Sequence, residues 1–272
     1  RAGAVGTITI DRPARFNSLD VETAQDLRAA ALKMARDAAV RVVVLTGAGG
    51  IFCSGADLKY IRGGGEESEL RYLTPEGRAV PRGYGEVFKQ ILEYLHSTIS
   101  EIRRAPKPFI AAVDGIAAAG GFGLAMACDI VVASERASFE WAYSRTGLTG
   151  AESSTFLLPR LVGLRRALEL ILLNPRLEPY HARDLGLITK VFRTAEFEDR
   201  VRELAERLAA GPTAAYGIAK GLMNLAAGID RLDQHLDREL DELARIADTP
   251  AFAEGLSAFV EKREPDFVGT RN

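Results

Sequence analysis

Alternation, and the places where it stops, divide the chain. "VGTITIDRP" alternates apolar and polar residues and stops at Pro13, which predicts a strand. "SLDVETAQDLRAAALKMARD" then changes to a helical period. Ser18 or Asp20 can cap it, acids fall in its first turn, and Leu27, Ala31 and Met34 form its apolar stripe. "VRVVVLTG" is a nearly continuous β-branched run, as in a strand covered on both faces. Glycines follow, and then "IFCSGADLKYI". Strand, helix and strand in that order predict an α/β fold with crossover connections.

The run from 62 to 84 mixes glycines, prolines and charges and predicts a surface excursion, either a lid over a site or a plain loop. Helical periodicity returns from Glu86 to Arg104 and ends before "APKP", whose prolines forbid continuation. "FIAAVDG" and "DIVVAS" read as two further buried strands. "LPRLVGLRRALELILLN" and "EPYHARDLG" read as helices, followed by the strand "LITKVF". From Glu196 onward the pattern is helical, with a break at "AAGPTAA". The expected division is an α/β core over 1–195 and a helical region over 196–272.

Composition narrows the partners. The apolar fraction of 47% over 272 residues suits a folded domain, and 35 basic against 37 acidic residues advertise neither nucleic acid nor membrane. No apolar run reaches the ~18 residues of a spanning helix. The start on strand-like sequence predicts no signal peptide. Cys53 and Cys128 sit in separate apolar runs, with no cysteine or histidine at metal spacing. They are expected to be buried, reduced thiols of a cytoplasmic protein, and no metal site is expected.

Chemistry concentrates in "GIAAAGGFGLAMACD", residues 115 to 129, which holds four glycines. A strand running through small residues into a helix would place Gly120 and Gly121 at the helix's first turn. Amides there lack intrahelical partners and carry the positive end of the dipole, which suits a phosphate or an oxyanion. The stretch lacks the lysine of a P-loop and does not match a dinucleotide fingerprint in context. Close helix–strand packing is the alternative for an isolated glycine pair.

The pair is not isolated. "RPARFNSLD", "FCSGADLK", "PFIAAVDGIAAAGGFGLAMACDIVVASERASF", "LPRLVG", "ARDLGLITKV" and "FVEKREPDF" follow in order along nearly the whole chain. Together they resemble the crotonase (enoyl-CoA hydratase/isomerase) superfamily. The resemblance implies a spiral of ββα turns with a helical C-terminal trimerisation region, assembled as a homotrimer or a dimer of trimers. It implies an acyl-CoA substrate and no cofactor beyond the CoA moiety itself. It also implies that the backbone amides of Ala56 and Gly120 bind the thioester oxygen. Two preorganised amides and the dipole of the helix that Gly120 starts are suited to the negative charge of an enolate.

Where the resemblance places the two glutamates of a crotonase-type hydratase, this chain has Gly123 and Tyr143. Other branches, among them isomerases and aryl-CoA dehalogenases, carry a carboxylate further on. Ungapped counting from Phe139 lands on Ala151, with Glu152 beside it in "GLTGAESSTFLLPR". A one-residue shift between Gly147 and Gly150 would deliver Glu152 to the same space; otherwise Glu152 is a surface residue at the start of a helix. One carboxylate over an enolate suits isomerisation, in which a single group moves a proton between two carbons. His96 falls where the dehalogenase branch carries an active-site histidine, and Tyr143 replaces an aromatic residue there. His96 could instead activate water for hydration, hydrolysis or lyase chemistry. Glu140 would reach the pocket only in a different strand register. The resemblance assigns CoA contacts to Ala56, Asp57, Leu58 and, from a packed neighbour, Phe259 and Lys262. Arg15 and Lys59 are candidates for its phosphates. A non-catalytic CoA-binding paralogue is the alternative class.

Overall fold

The computed structural model describes residues 2–65 and 83–270. Most of the 62–84 excursion therefore lies outside the described residues. The central sheet has five parallel strands in the order β1 (Val5–Ile10), β2 (Val42–Gly47), β3 (Phe109–Val113), β5 (Ile130–Ser134) and β7 (Lys190–Phe192). Two short strands, β4 (Ile116–Ala118) and β6 (Ser138–Glu140), pair in parallel beside it, and a bridge from Cys53 to Ala117 extends this second layer. The chain thus steps from the main sheet to the second layer and back through helices, which is the ββα spiral.

The β-branched run is buried on both faces for a visible reason. Val43, Leu45, Phe109, Ala111 and Val113 face the main core. Val42, Val44, Ile110, Ala112 and Val132 face α8 (Phe197–Ala210), through Phe197, Val201, Ala205 and Ala209. Numbering the other helices in chain order, α1 (Val21–Arg36) and α2 (Leu58–Arg62) precede α3 (Tyr84–Arg104) and α4 (Gly120–Ala127). Then come α5 (Ser154–Val162), α6 (Leu164–Leu173), α7 (Pro179–Asp184), α9 (Thr213–Ala226), α10 (Leu232–Ala247) and α11 (Pro250–Glu261). Of the two capping candidates for α1, Asp20 caps it, accepting from the Thr23 amide at 3.0 Å.

The helices after 196 do not form a core of their own. Leu232, Leu236, Leu243 and Ala247 of α10 belong to the same apolar cluster as Leu92, Leu95 and Ile99 of α3. This makes the C-terminal region part of the wall of any site between them. Both cysteines are buried and free. Among the described residues no helix is long and apolar enough to cross a membrane, and no group of three acidic, histidine or cysteine side chains could hold a metal.

Candidate active site

Two tight turns meet at the ends of the second layer. Leu19 donates to the Gly55 carbonyl and accepts from the Asp57 amide, at 2.9 and 2.8 Å. A parallel bridge of that kind leaves the N–H of the intervening Ala56 facing the other way, and Ala56 lines the adjoining cavity. Gly55 has φ +93°, and a Cβ there would lie 2.8 Å from the Ala119 Cβ and 3.1 Å from the Gly120 nitrogen. Only glycine permits that backbone and that approach. Ala119, itself at φ +46°, turns the chain into α4, whose first internal hydrogen bond is Gly123 N–H to the Ala119 carbonyl. The Gly120 N–H therefore stands at the open, positive end of an entirely buried helix.

A carboxyl group reaches this point from a third turn. A Cβ on Gly120 would lie 2.9 Å from Glu152 Oε1, so the missing side chain is the space the acid uses. Ala151 is fully buried and outside the cavity, whereas Glu152 lines it and is only 3% exposed. The surface alternative for Glu152 does not hold. Glu152 and Ser153 are both left-handed, at φ +49° and +63°, where Glu152 lines the cavity. Gly147 is also left-handed (φ +71°), while Gly150 is packed against Trp141 and Thr155.

Tyr143, buried, donates its hydroxyl to Glu152 Oε2 and lies 3.3 Å from the Ala151 carbonyl. Burial pushes the Glu152 carboxyl up to about 8, against the Tyr143 hydrogen bond that lowers it, and the nearby Glu239 adds to the rise. Burial, together with the Glu152 charge, pushes the Tyr143 phenol well above its usual range, so it remains a donor. His96, on α3, does not line the cavity. It sits behind the acid, where its Nε2 accepts the Glu152 backbone N–H at 3.4 Å, and burial lowers its pKa to about 3. It is a neutral acceptor for the turn, separated from the cavity by the residue it holds.

The cavity has a volume of about 420 Å³, within the range of small-molecule sites. Phe88, Ile116, Leu148 and Leu243 give it an apolar wall. At its mouth stand Arg15, Phe16, Leu58, Lys59 and Phe259, the last 54% exposed. Asp57 caps α2 through the Lys59 and Tyr60 amides and is gripped by Arg15 at 2.6 to 3.1 Å. Arg15 is thus engaged by an acid of its own chain. Phe259 and Leu243 of this chain's own C-terminal helices line the cavity. Lys262 lines an adjacent groove with Arg145 and Asn174.

Glu140 was not expected here, yet it lines the cavity. It ends β6 opposite Ala118, and its carboxylate pairs with Arg145 at 2.5 Å and accepts from Asn174 Nδ2 at 3.0 Å. No local pattern gives this away, because both partners lie beyond the strand.

Two close turns beside the buried Glu152 carboxyl, on a spiral ββα scaffold, are the architecture of the crotonase fold. The family model for enoyl-CoA hydratase/isomerase matches residues 1–76 and 84–270, and the chain belongs to that family. It is 35% identical to 1,2-epoxyphenylacetyl-CoA isomerase of Escherichia coli (strain K12), covering 97% of this chain and 95% of the relative. It is 33% identical to 4-chlorobenzoyl coenzyme A dehalogenase-2 of an Arthrobacter species, covering 95% and 88%. The crystal structure of an enoyl-CoA hydratase from Mycobacterium avium subsp. paratuberculosis K-10 superposes with a TM-score of 0.84 at 32% identity, covering 98% and 96%. An acyl-CoA substrate follows from the family; the relatives' reactions differ.

Proposed function

We propose that this chain is an acyl-CoA isomerase that moves a proton between two carbons of its substrate, with Glu152 as the only proton carrier. The supporting observation is the juxtaposition of Glu152 Oε1 with the Gly120 amide end of α4. The ionised carboxylate takes a proton from the carbon α or γ to the thioester carbonyl. The electron pair passes into the enolate, whose oxygen accepts from the Ala56 and Gly120 N–H groups. Glu152, now protonated, exchanges with solvent and delivers a proton to the other carbon, so the double bond moves and no net water is consumed. Removing one such oxyanion donor typically costs roughly 3–4 kcal/mol of barrier.

On this reading Leu58, Lys59, Phe16 and Phe259 receive the CoA moiety at the mouth, with Lys59 as the cation for its phosphates and Asp57 anchoring the Ala56 turn. No further cofactor is required. The exposed leucines of α6 (Leu164, Leu168, Leu172, Leu173) and the apolar face of α9 (Ile218, Leu222, Met223, Leu225) support self-association as a trimer or a dimer of trimers.

A second reading is hydration, favoured by Glu140, which supplies a second carboxylate on the cavity wall. Its engagement by Arg145 and Asn174 favours a fixed charge over a moving proton. The deciding experiment follows a β,γ-enoyl-CoA in deuterated water. Isomerisation gives solvent-exchanged α,β-enoyl-CoA, and Glu152→Gln abolishes it. With α,β-enoyl-CoA offered separately, and no turnover of the β,γ-isomer, a 3-hydroxyacyl product that disappears in Glu140→Gln would establish hydration instead.

A further inference from the structure

We propose that Glu239, on α10, is a positioning residue for the proton carrier: its carboxylate grips the backbone of the 153–155 turn and so fixes where Glu152 faces. The inference rests on the reading of Glu152 as that carrier.

The turn is closed by the Ser154 N–H to the Ala151 carbonyl at 2.9 Å, which leaves the Ser153 and Thr155 amides to find partners elsewhere. Glu152 and Ser153 are consecutive non-glycine residues in the left-handed region. Ser153 is the N-cap of α5 but makes no side-chain cap, and the buried hydroxyls of Ser153 and Ser154 have no partner. The orphan amides are satisfied from a distant part of the chain. Glu239 Oε2 accepts from the Ser153 N–H at 2.8 Å, and Oε1 accepts from the Thr155 N–H at 3.0 Å and from the Thr155 hydroxyl. Thr155 Oγ1 in turn lies 2.8 Å from His235 Nε2, one turn earlier on α10. Glu239 is 5% exposed and does not line the cavity, so it acts through the turn rather than on substrate.

The second link is charge. Glu152 is faced by Tyr143 from the preceding turn, by His96 from α3, by Cys53 and by Glu239. Glu239 is faced by His235, whose pKa is lowered by burial and by Arg160 and Arg238, and by the amides at the start of α5. Those amides and Thr155 favour the Glu239 carboxylate against its burial. Once ionised, it repels a second negative charge on Glu152, so the two acids titrate as a coupled pair.

Two variants separate reach from charge. Glu239→Gln keeps the length but removes the charge and, since its amide nitrogen cannot accept, one of the two backbone bonds; Glu239→Asp keeps the charge and shortens the reach. Infrared difference titration, with the Glu152 carboxyl assigned by its loss in Glu152→Gln, reads the carrier without any turnover. It therefore reports even where no thioester is isomerised, and a silent wild-type enzyme would count against the isomerase reading alone. In Glu239→Gln the Glu152 step is expected at a lower pH than in the wild type. In Glu239→Asp the Glu152 band is expected to change as its bond from Tyr143 is disturbed. Where exchange is measurable, kcat in that variant is expected to fall by up to about a hundredfold with KM little changed, as for a misplaced catalytic group. A Glu152 step that is unmoved or raised in Glu239→Gln, or a Glu152 band in Glu239→Asp identical to wild type, would overturn the proposal.

Discussion

The carbonyl oxygen of Glu152 occupies the space in which a side chain on Gly123 would begin: a Cβ there would lie 2.3 Å from that oxygen and 2.8 Å from the Glu152 Cβ. Where the sequence shows an acid missing from α4, the structure shows room reserved for an acid carried by another turn. Restoring the absent glutamate is therefore not expected to create a hydratase. Gly123→Glu should displace the 151–153 turn and lower stability by about 1–3 kcal/mol, as overpacking does. Thermal unfolding and α,β-enoyl-CoA hydration measure both effects. A folded Gly123→Glu protein that hydrates and still exchanges would show that α4 has space for both groups.

Tyr143→Phe should move the working pH. The phenol donates to the charged form of Glu152 and so lowers its pKa from where burial alone would put it. Without that bond the carboxyl rises further above about 8, and the ionised fraction near neutrality shrinks. The rate limb that reports the base should shift to higher pH, with about 1 kcal/mol lost in stability for the hydrogen bond. A limb that stays in place would separate Tyr143 from the proton carrier.

The fold was legible wherever one face decided the pattern. "VRVVVLTG" and "FIAAVDG" read as doubly covered strands, and α8 supplies the second cover through Phe197 and Val201. Gly120 was legible as a helix start because small residues at a strand's end announce a close approach. Glu152 was legible only as a neighbour of the counted position. Its turn holds two consecutive left-handed residues, and neither Glu nor Ser advertises a positive φ. Glu140, His96 and Glu239 owe their surroundings to residues from 5 to 86 positions away, such as Arg145, Glu152 and Ser153. Glu140 meets Arg145 only across the turn after its strand, and no local window contains the His96–Glu152 or Glu239–Ser153 pair.

Asp57 ties the Ala56 turn to the mouth of the cavity. It caps α2 and is held by Arg15, with Arg12 at 3.5 Å. Burial opposes its charge, but these partners outweigh burial and keep its carboxyl below the usual range. Asp57→Ala should cost about 1 kcal/mol from the lost cap alone. Since the carboxyl's folded pKa is depressed, its stabilisation holds above the unfolded value of 3.8 and fades as pH falls below it. Acid unfolding of Asp57→Ala should therefore converge on the wild type at low pH. A gap that persists there would mean that packing, rather than charge, holds the turn.

Glu152 and Glu239 predict the opposite trend at higher pH. Folding raises their carboxyls from 4.5 to about 8 and about 7, in both cases mainly through burial. Between the unfolded and folded values the native state binds more protons than the unfolded chain, so stability falls as pH rises through that window. Above the folded values both states are ionised and the decline ends. Each pKa unit corresponds to about 1.4 kcal/mol, so the pair should produce a fall of a few kcal/mol. Denaturant unfolding from about pH 7 to about pH 9 measures its upper part, clear of the opposite trend below about 6.5 from His96, which folding lowers to about 3. Glu152→Gln should flatten the slope, because the amide stays neutral throughout and leaves only the Glu239 contribution. Stability that is level or rising across this interval would mean that both carboxyls ionise at ordinary values, and the buried acid would then already be charged at neutral pH.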